Sequence, residues 1–133
     1  MGAGGVTFLF DENAPPRLAR SLRELGEAAH HVHEVGLGRA PDVDVLRYAG
    51  EREWCVVSAD RMILRRPHER AVIGEAGVVV FFLNDTIAGL CTISRALYRH
   101  WPEMKRLAAA APRPSLFLVR ERGVARLPRR RGG

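Results

Sequence analysis

The chain has 133 residues, 47% of them hydrophobic, and 21 Lys and Arg against 15 Asp and Glu give a formal net charge of +6. This is the length of one domain with enough apolar residues for a buried core, which argues against intrinsic disorder. No apolar run reaches the roughly 18–20 residues that span a bilayer. The opening Met1–Asn13 lacks the basic n-region and long apolar run of a secretory signal. Two cysteines, Cys55 and Cys91, make no disulfide framework, so a reducing cytoplasm is the expected setting.

The charge is unevenly placed. Residues 1–110 hold 14 basic and 14 acidic side chains, whereas residues 111–133 hold seven Arg and one Glu. Arg outnumbers Lys 20 to 1, and a guanidinium makes planar, bidentate phosphate contacts. A basic C-terminal segment reads either as a nucleic-acid footprint or as a solvated terminus. The expected layout is a disordered N-terminus over 1–5, a single domain over 6–128 and a basic tail over 129–133.

In chain order, Val6–Phe10 is a short apolar run that predicts a buried strand. Asp11, Asn13, Pro15 and Pro16 end it, and Pro16 or its neighbour opens a helix. Leu18, Leu22 and Leu25 fall at i, i+4 and i+7 on that helix, and Gly26 closes it. Ala28–Val35 reads as a second, weaker strand, and 36–41 as a loop. Asp42 is placed to N-cap a helix whose apolar face is Val45, Leu46 and Ala49. Trp54–Ser58 predicts a third strand, ending at Ala59 and Asp60. A basic stretch, 61–67, leads to a helix through about Ala76. Val78–Leu83, with no polar residue, is the fourth strand. Thr86–Ala110 carries a long helical pattern interrupted at Pro102, Ser115–Arg120 is a fifth strand, and Glu121–Gly123 turns the chain into Val124–Leu127. Strands alternating with helices indicate an α/β fold with a largely parallel sheet.

In such a sheet ligands bind at the carboxyl ends of the strands. Asp11 follows the first strand and Asp60 the third. Asp42 starts a helix running antiparallel to the strands, so all three carboxylates reach one rim. Converging carboxylates raise one another's pKa unless a cation is present, and an oxygen-only cluster suits Mg²⁺ or Mn²⁺. Such an ion can activate water and stabilise charge on a phosphodiester. Each acid also has a plain structural role open to it: Asp11 in an Asx-turn, Asp42 and Asp60 as helix caps.

The sequence resembles a short PIN-like ribonuclease domain of the VapC toxin kind. The resemblance is carried by Phe8–Asn13 with Pro15, Pro16 and Leu18, by Gly36–Gly38 followed by Asp42–Leu46 and Ala49, and by Val56–Asp60. The continuation Met62–Pro67, Val78–Leu83 and Pro102–Leu107 resembles the PIN subgroup typified by toxins with an extended C-terminal part. It covers about residues 5–128. It implies a three-layer α/β/α PIN-like fold, with a mostly parallel sheet of about five strands, and Mg²⁺- or Mn²⁺-dependent endoribonuclease activity. Asp11, Asp42 and Asp60 match the family's metal-binding acids. Ser58 matches its frequent Ser or Thr, whose hydroxyl would position the attacking water. A cognate antitoxin is the implied protein partner, as in a type II toxin–antitoxin pair. A homodimer is also open, and no membrane partner is implied. Larger PIN nucleases carry a further acid on a helical insert that is largely absent here. Glu12 and Asp44 are the candidates to replace it.

Arg61, Arg65 and Arg66 are placed to hold RNA phosphates beside the acids or, alternatively, to form a solvated basic face. His30, His31 and His33 read mainly as strand histidines rather than as a metal site. Cys55 reads as a core residue, and Tyr98 and Trp101 as packing residues rather than a base-stacking platform. A non-catalytic PIN-like module that binds nucleic acid or a protein is the competing function. A HAD-like phosphatase would want a second Asp where Asn13 stands. A phospho-receiver would want a Lys near the last strand, and the only Lys, Lys105, falls in the long helix.

Overall fold

The computed structural model of the chain describes residues 5–83 and 90–128, without the side chains of Arg61, Leu90 and Cys91. The expected start of the long helix at Thr86, residues 1–4 and the basic tail 129–133 lie outside the described residues.

Six strands form one sheet: β1 (Phe8–Phe10), β2 (Ala29–His31), β3 (Cys55–Ser58), β4 (Val79–Leu83), β5 (Ser115–Arg120) and β6 (Gly123–Leu127). Their spatial order is β2-β1-β3-β4-β5-β6. The first five are parallel, with Phe8 opposite both Ala29 and Cys55 and Val79 opposite Ser115, and β6 returns antiparallel to β5. The expected sheet of about five strands is thus extended by one antiparallel edge. The Glu121–Gly123 turn returns the chain beside β5, so Leu116 pairs with Leu127.

Four helices complete three layers: α1 (Pro16–Glu24), α2 (Asp42–Arg52), α3 (Pro67–Ala76) and α4 (Leu90–Ala110). Alternation of side chains along the strands separates the two faces. Phe8, Phe10, Val57, Phe81 and Phe117 pack with Leu18 and Leu22 of α1 and with Leu97, Trp101 and Met104 of α4. Leu9, Val56, Val80 and Phe82 pack with Val45, Leu46 and Ala49 of α2 and with Val72 and Ile73 of α3. The steps from β3 to β4 and from β4 to β5 run the same way across the sheet, yet α3 and α4 cover opposite faces, so the last crossover has the opposite hand. That helix covers the β4–β5 half of a face whose other half lies under α1. Trp101 anchors it, its ring 4.4 Å from that of Phe8 and its Nε1 donating to Glu27 at 2.8 Å.

Three local expectations are corrected. The second strand is three residues long, not eight: His31 Nδ1 accepts the His33 amide while Glu34 accepts the His31 amide, and this capping box turns the chain into a 3-10 segment, Val32–Val35. Leu25 is 73% exposed rather than buried with Leu18 and Leu22, because α1 stops at Glu24 and the chain reverses at Gly26 with φ +91°. Asp42 is not an N-cap. Pro41 occupies that position, and Asp42 is the first helical residue, with no cap made by a side chain.

One close approach sets α2 against α3. A Cβ at Gly50 would stand 2.6 Å from the Ala76 carbonyl oxygen and 2.8 Å from its Cβ. Only glycine lets these helices, which begin at Asp42 and just after Arg66, lie so near each other.

Candidate active site

The chain leaves β1 for β2 on one side and returns through α2 to β3 on the other. The carboxyl ends of β1 and β3 therefore flank the topological switch point, where open α/β sheets bind ligands. Asp11 stands directly after β1, and Asp60 two residues after β3. Asp42 joins them because α2 runs back from this edge.

Asp11 is 2% exposed. Its Oδ1 accepts the Asn13 amide at 3.2 Å, the expected Asx-type bond. Its Oδ2 is the one buried side-chain oxygen or nitrogen among the described residues that has no hydrogen-bond partner. Burial pushes the Asp11 carboxyl up to about 6, reinforced by the charge of Asp42 and offset in part by the polar groups around it, the Ser58 hydroxyl and the Ala59 and Asn13 amides, of which only the Asn13 amide stands at hydrogen-bond geometry. A buried carboxylate oxygen without a donor costs free energy unless a proton or a cation meets it.

Asp60 divides its work. One oxygen caps the 3-10 segment Arg61–Arg65 by accepting the Met62 amide at 2.9 Å. The other lies 3.5 Å from Arg66 Nη1. Ser58, fully buried, accepts the Asp60 amide at 3.0 Å and so fixes the turn that carries this acid. Asp42 Oδ2 accepts from the same Arg66 Nη1 at 3.1 Å. Burial raises the Asp42 pKa, Arg66 opposes the rise, and the charges of Asp60 and Glu69 add to it.

Of the remaining candidates, Glu12 is drawn away from the rim. It accepts the Arg39 amide at 2.7 Å and meets His33 Nε2 at 2.5 Å. The Arg39 amide, with His33, holds its pKa below the usual range. Asp44 is exposed, two residues and so about 200° around α2 from Asp42. Arg65 is exposed, and the side chain of Arg61 lies outside the described ones. The histidines serve the fold: His31 Nδ1 accepts an amide, so Nε2 carries the proton and donates to the Ala14 carbonyl at 2.8 Å. His30 stacks on Trp54.

Two rim features escaped the sequence. Glu69, in the first turn of α3, adds negative charge at Asp42. Met62, 48% exposed, stands two residues past Asp60. The first has a signal in the chain, since an acid just after Pro67 falls where first helical turns favour acids. Nothing in the hydropathy pattern marked the second.

The donor chemistry fits a hard divalent cation at Asp11: oxygen ligands only, one of them buried and unpartnered. The arrangement as it stands does not gather a full ligand set, and no group of three or more His, Cys, Asp or Glu converges to hold an ion among the described residues. Asp42 and Asp60 are turned instead to Arg66.

Residues 6–85 match the model of a family described as a PIN like domain. The match spans β1 through β4 and includes Asp11, Asp42, Ser58, Asp60 and Arg66. No curated protein and no solved structure matches the chain. Among the described residues, no helix is long and apolar enough to cross a membrane.

Proposed function

We propose that this chain, which belongs to the PIN-like domain family, is a metal-dependent endoribonuclease and the VapC-like toxin of a toxin–antitoxin pair. PIN-like domains are generally nucleases, and the observation that supports activity here is the buried, unpartnered Asp11 Oδ2 at the switch point, with Asp42 and Asp60 on the same rim. Asp11, Asp60 and Asp42 are the residues that would hold Mg²⁺ or Mn²⁺. Such an ion supplies Lewis-acid stabilisation of a phosphodiester and makes an attacking water more acidic.

The chain's own groups do the rest. Ser58 fixes the turn of Asp60 and presents a hydroxyl beside Asp11, where it can orient water. Arg65 and Arg61 offer charge for RNA phosphates, with the Arg-rich C-terminus as a second contact. An RNA substrate and a cognate antitoxin set the protein in the cytoplasm.

The purified protein is expected to cleave RNA with Mg²⁺ or Mn²⁺ and to stop in EDTA. Asp11→Ala or Asp60→Ala should abolish cleavage. Cleavage that survives chelation, or both substitutions, overturns the metal-site reading. A small DNA-binding protein encoded in the adjacent reading frame would support the toxin assignment, and its absence would count against it. The bond between Arg66 and Asp42 favours a second reading, a non-catalytic PIN-like module that binds nucleic acid or a protein. It predicts RNA binding without cleavage under any metal.

A further inference from the structure

The rim contains a positive charge of its own. Arg66 Nη1 stands 3.1 Å from Asp42 Oδ2 and 3.5 Å from Asp60 Oδ2, so one nitrogen serves two carboxylates that begin different elements of the fold. Its backbone is held for this. Arg66 ends the 3-10 segment and precedes Pro67, which forces it into an extended conformation with φ −99° and ψ 113°. Gly50 allows α2 and α3 to approach, which brings Asp42 within reach. Asp42 spends no oxygen on capping α2, and only one oxygen of Asp60 is used by the Met62 amide. The Oδ2 of each acid faces the same guanidinium. Asp11, the third acid, has no such counter-charge, and its Oδ2 is buried without a partner.

We propose that Arg66 is an internal cation occupying a metal's place between Asp42 and Asp60, and that a divalent ion anchored at Asp11 completes its ligand set only by displacing the guanidinium. The inference rests on the metal-dependent reading of the rim and adds a residue that sets its metal affinity. Without metal, the one positive charge of Arg66 offsets part of the repulsion between two neighbouring carboxylates. On metal entry the same charge opposes the ion, since two cations compete for the same oxygens. The Arg66 side chain is 43% exposed, so solvent is open to it once it leaves the acids.

Mn²⁺ binding measured by calorimetry on wild type, Arg66→Gln and Arg66→Lys tests this directly, with melting temperature in EDTA as a second readout. Arg66→Gln is expected to bind Mn²⁺ about tenfold more tightly or better, because a unit charge beside the site is gone. Arg66→Lys, which keeps the charge, should stay closer to wild type. In EDTA, Arg66→Gln should melt lower than wild type, and saturating Mn²⁺ should erase the difference. If wild type and Arg66→Gln bind Mn²⁺ equally, Arg66 is a surface ion pair and this inference fails while the metal site stands. If affinity falls on removing Arg66, the guanidinium assists the metal and the inference is likewise wrong. If neither protein binds Mn²⁺, the metal-dependent reading fails with it.

Discussion

Replacing Asp11 by Asn should stabilise the metal-free protein at neutral pH. Burial pushes the Asp11 carboxyl up from 3.8 to about 6, chiefly because the folded chain removes it from water. A folded-state pKa above the unfolded one means that the native protein holds this proton more tightly than the unfolded chain does. Ionised Asp11 therefore costs stability. The cost is absent below pH 3.8, develops between 3.8 and about 6, and is complete above that. A shift of about two units corresponds to about 3 kcal/mol. Asn has the same shape, does not ionise, and keeps a carbonyl to accept the Asn13 amide. Asp11→Asn should thus exceed wild type by about 2–3 kcal/mol at pH 7.5 in EDTA, on the order of 10 °C in melting temperature for a chain of this size. The gap should close as the pH falls towards 4. Urea or thermal melts of both proteins from pH 4 to 8 measure it. Equal or lower stability of the Asn variant at pH 7.5, or a gap that does not change with pH, would refute the burial argument.

Three further outcomes follow from packing and charge. Trp101→Ala removes the ring that lies 4.4 Å from Phe8 and the donor to Glu27, and should cost about 3–5 kcal/mol in urea melts by opening a cavity under α4. Gly50→Ala places a methyl 2.6 Å from the Ala76 carbonyl oxygen and should cost about 1–3 kcal/mol as α2 and α3 are forced apart. The same variant should weaken the Asp42–Arg66 contact, visible as altered Mn²⁺ affinity. Truncation after Leu127 removes Arg129, Arg130 and Arg131 while keeping β6. It should weaken RNA binding and reduce the slope of log affinity against log salt by about 2. An unchanged slope would mean that the tail makes no phosphate contact.

Much of the fold is legible in the chain because each central strand carries a short, largely apolar β-rich run. Val79–Leu83 and Ser115–Arg120 lie where an uninterrupted β-rich run between turn signals places them, and Pro16 and Pro67 mark the starts of α1 and α3. The pattern alone runs the second strand on to Val35, because its true end is decided by side-chain bonds to the backbone, His31 to His33 and Glu34 to His31, which leave no mark on hydropathy. The i, i+7 spacing puts Leu25 on the apolar face of α1, but the helix stops at Glu24 and the chain reverses at Gly26.

The rim was legible in outline only. Counting back from strand ends places Asp11, Asp42 and Asp60 on one edge, since helix and strand directions follow from topology. The partner of each acid does not follow. Arg66 reads in sequence as a phosphate contact beside Asp60, yet it bonds Asp42, 24 residues away, across a helix pair whose spacing depends on Gly50. Glu12 sits next to Asp11 in sequence but is taken by the Arg39 amide and His33, contacts made by a distant loop. Local pattern fixes which edge an acid occupies. Non-local packing decides what charge it meets there.

In the proposed reaction, the carboxylate rim with a bound divalent ion would cleave RNA by water attack. The most direct measurement is the chemistry of the cut ends of an RNA incubated with the protein and Mn²⁺, with and without EDTA and with Asp11→Ala alongside. Attack by water with the 3′-oxygen as leaving group gives 5′-phosphate and 3′-hydroxyl ends. These ends are expected, and are expected to be lost in EDTA and in Asp11→Ala. Cyclic 2′,3′-phosphate ends, or cutting that persists without metal, would contradict it.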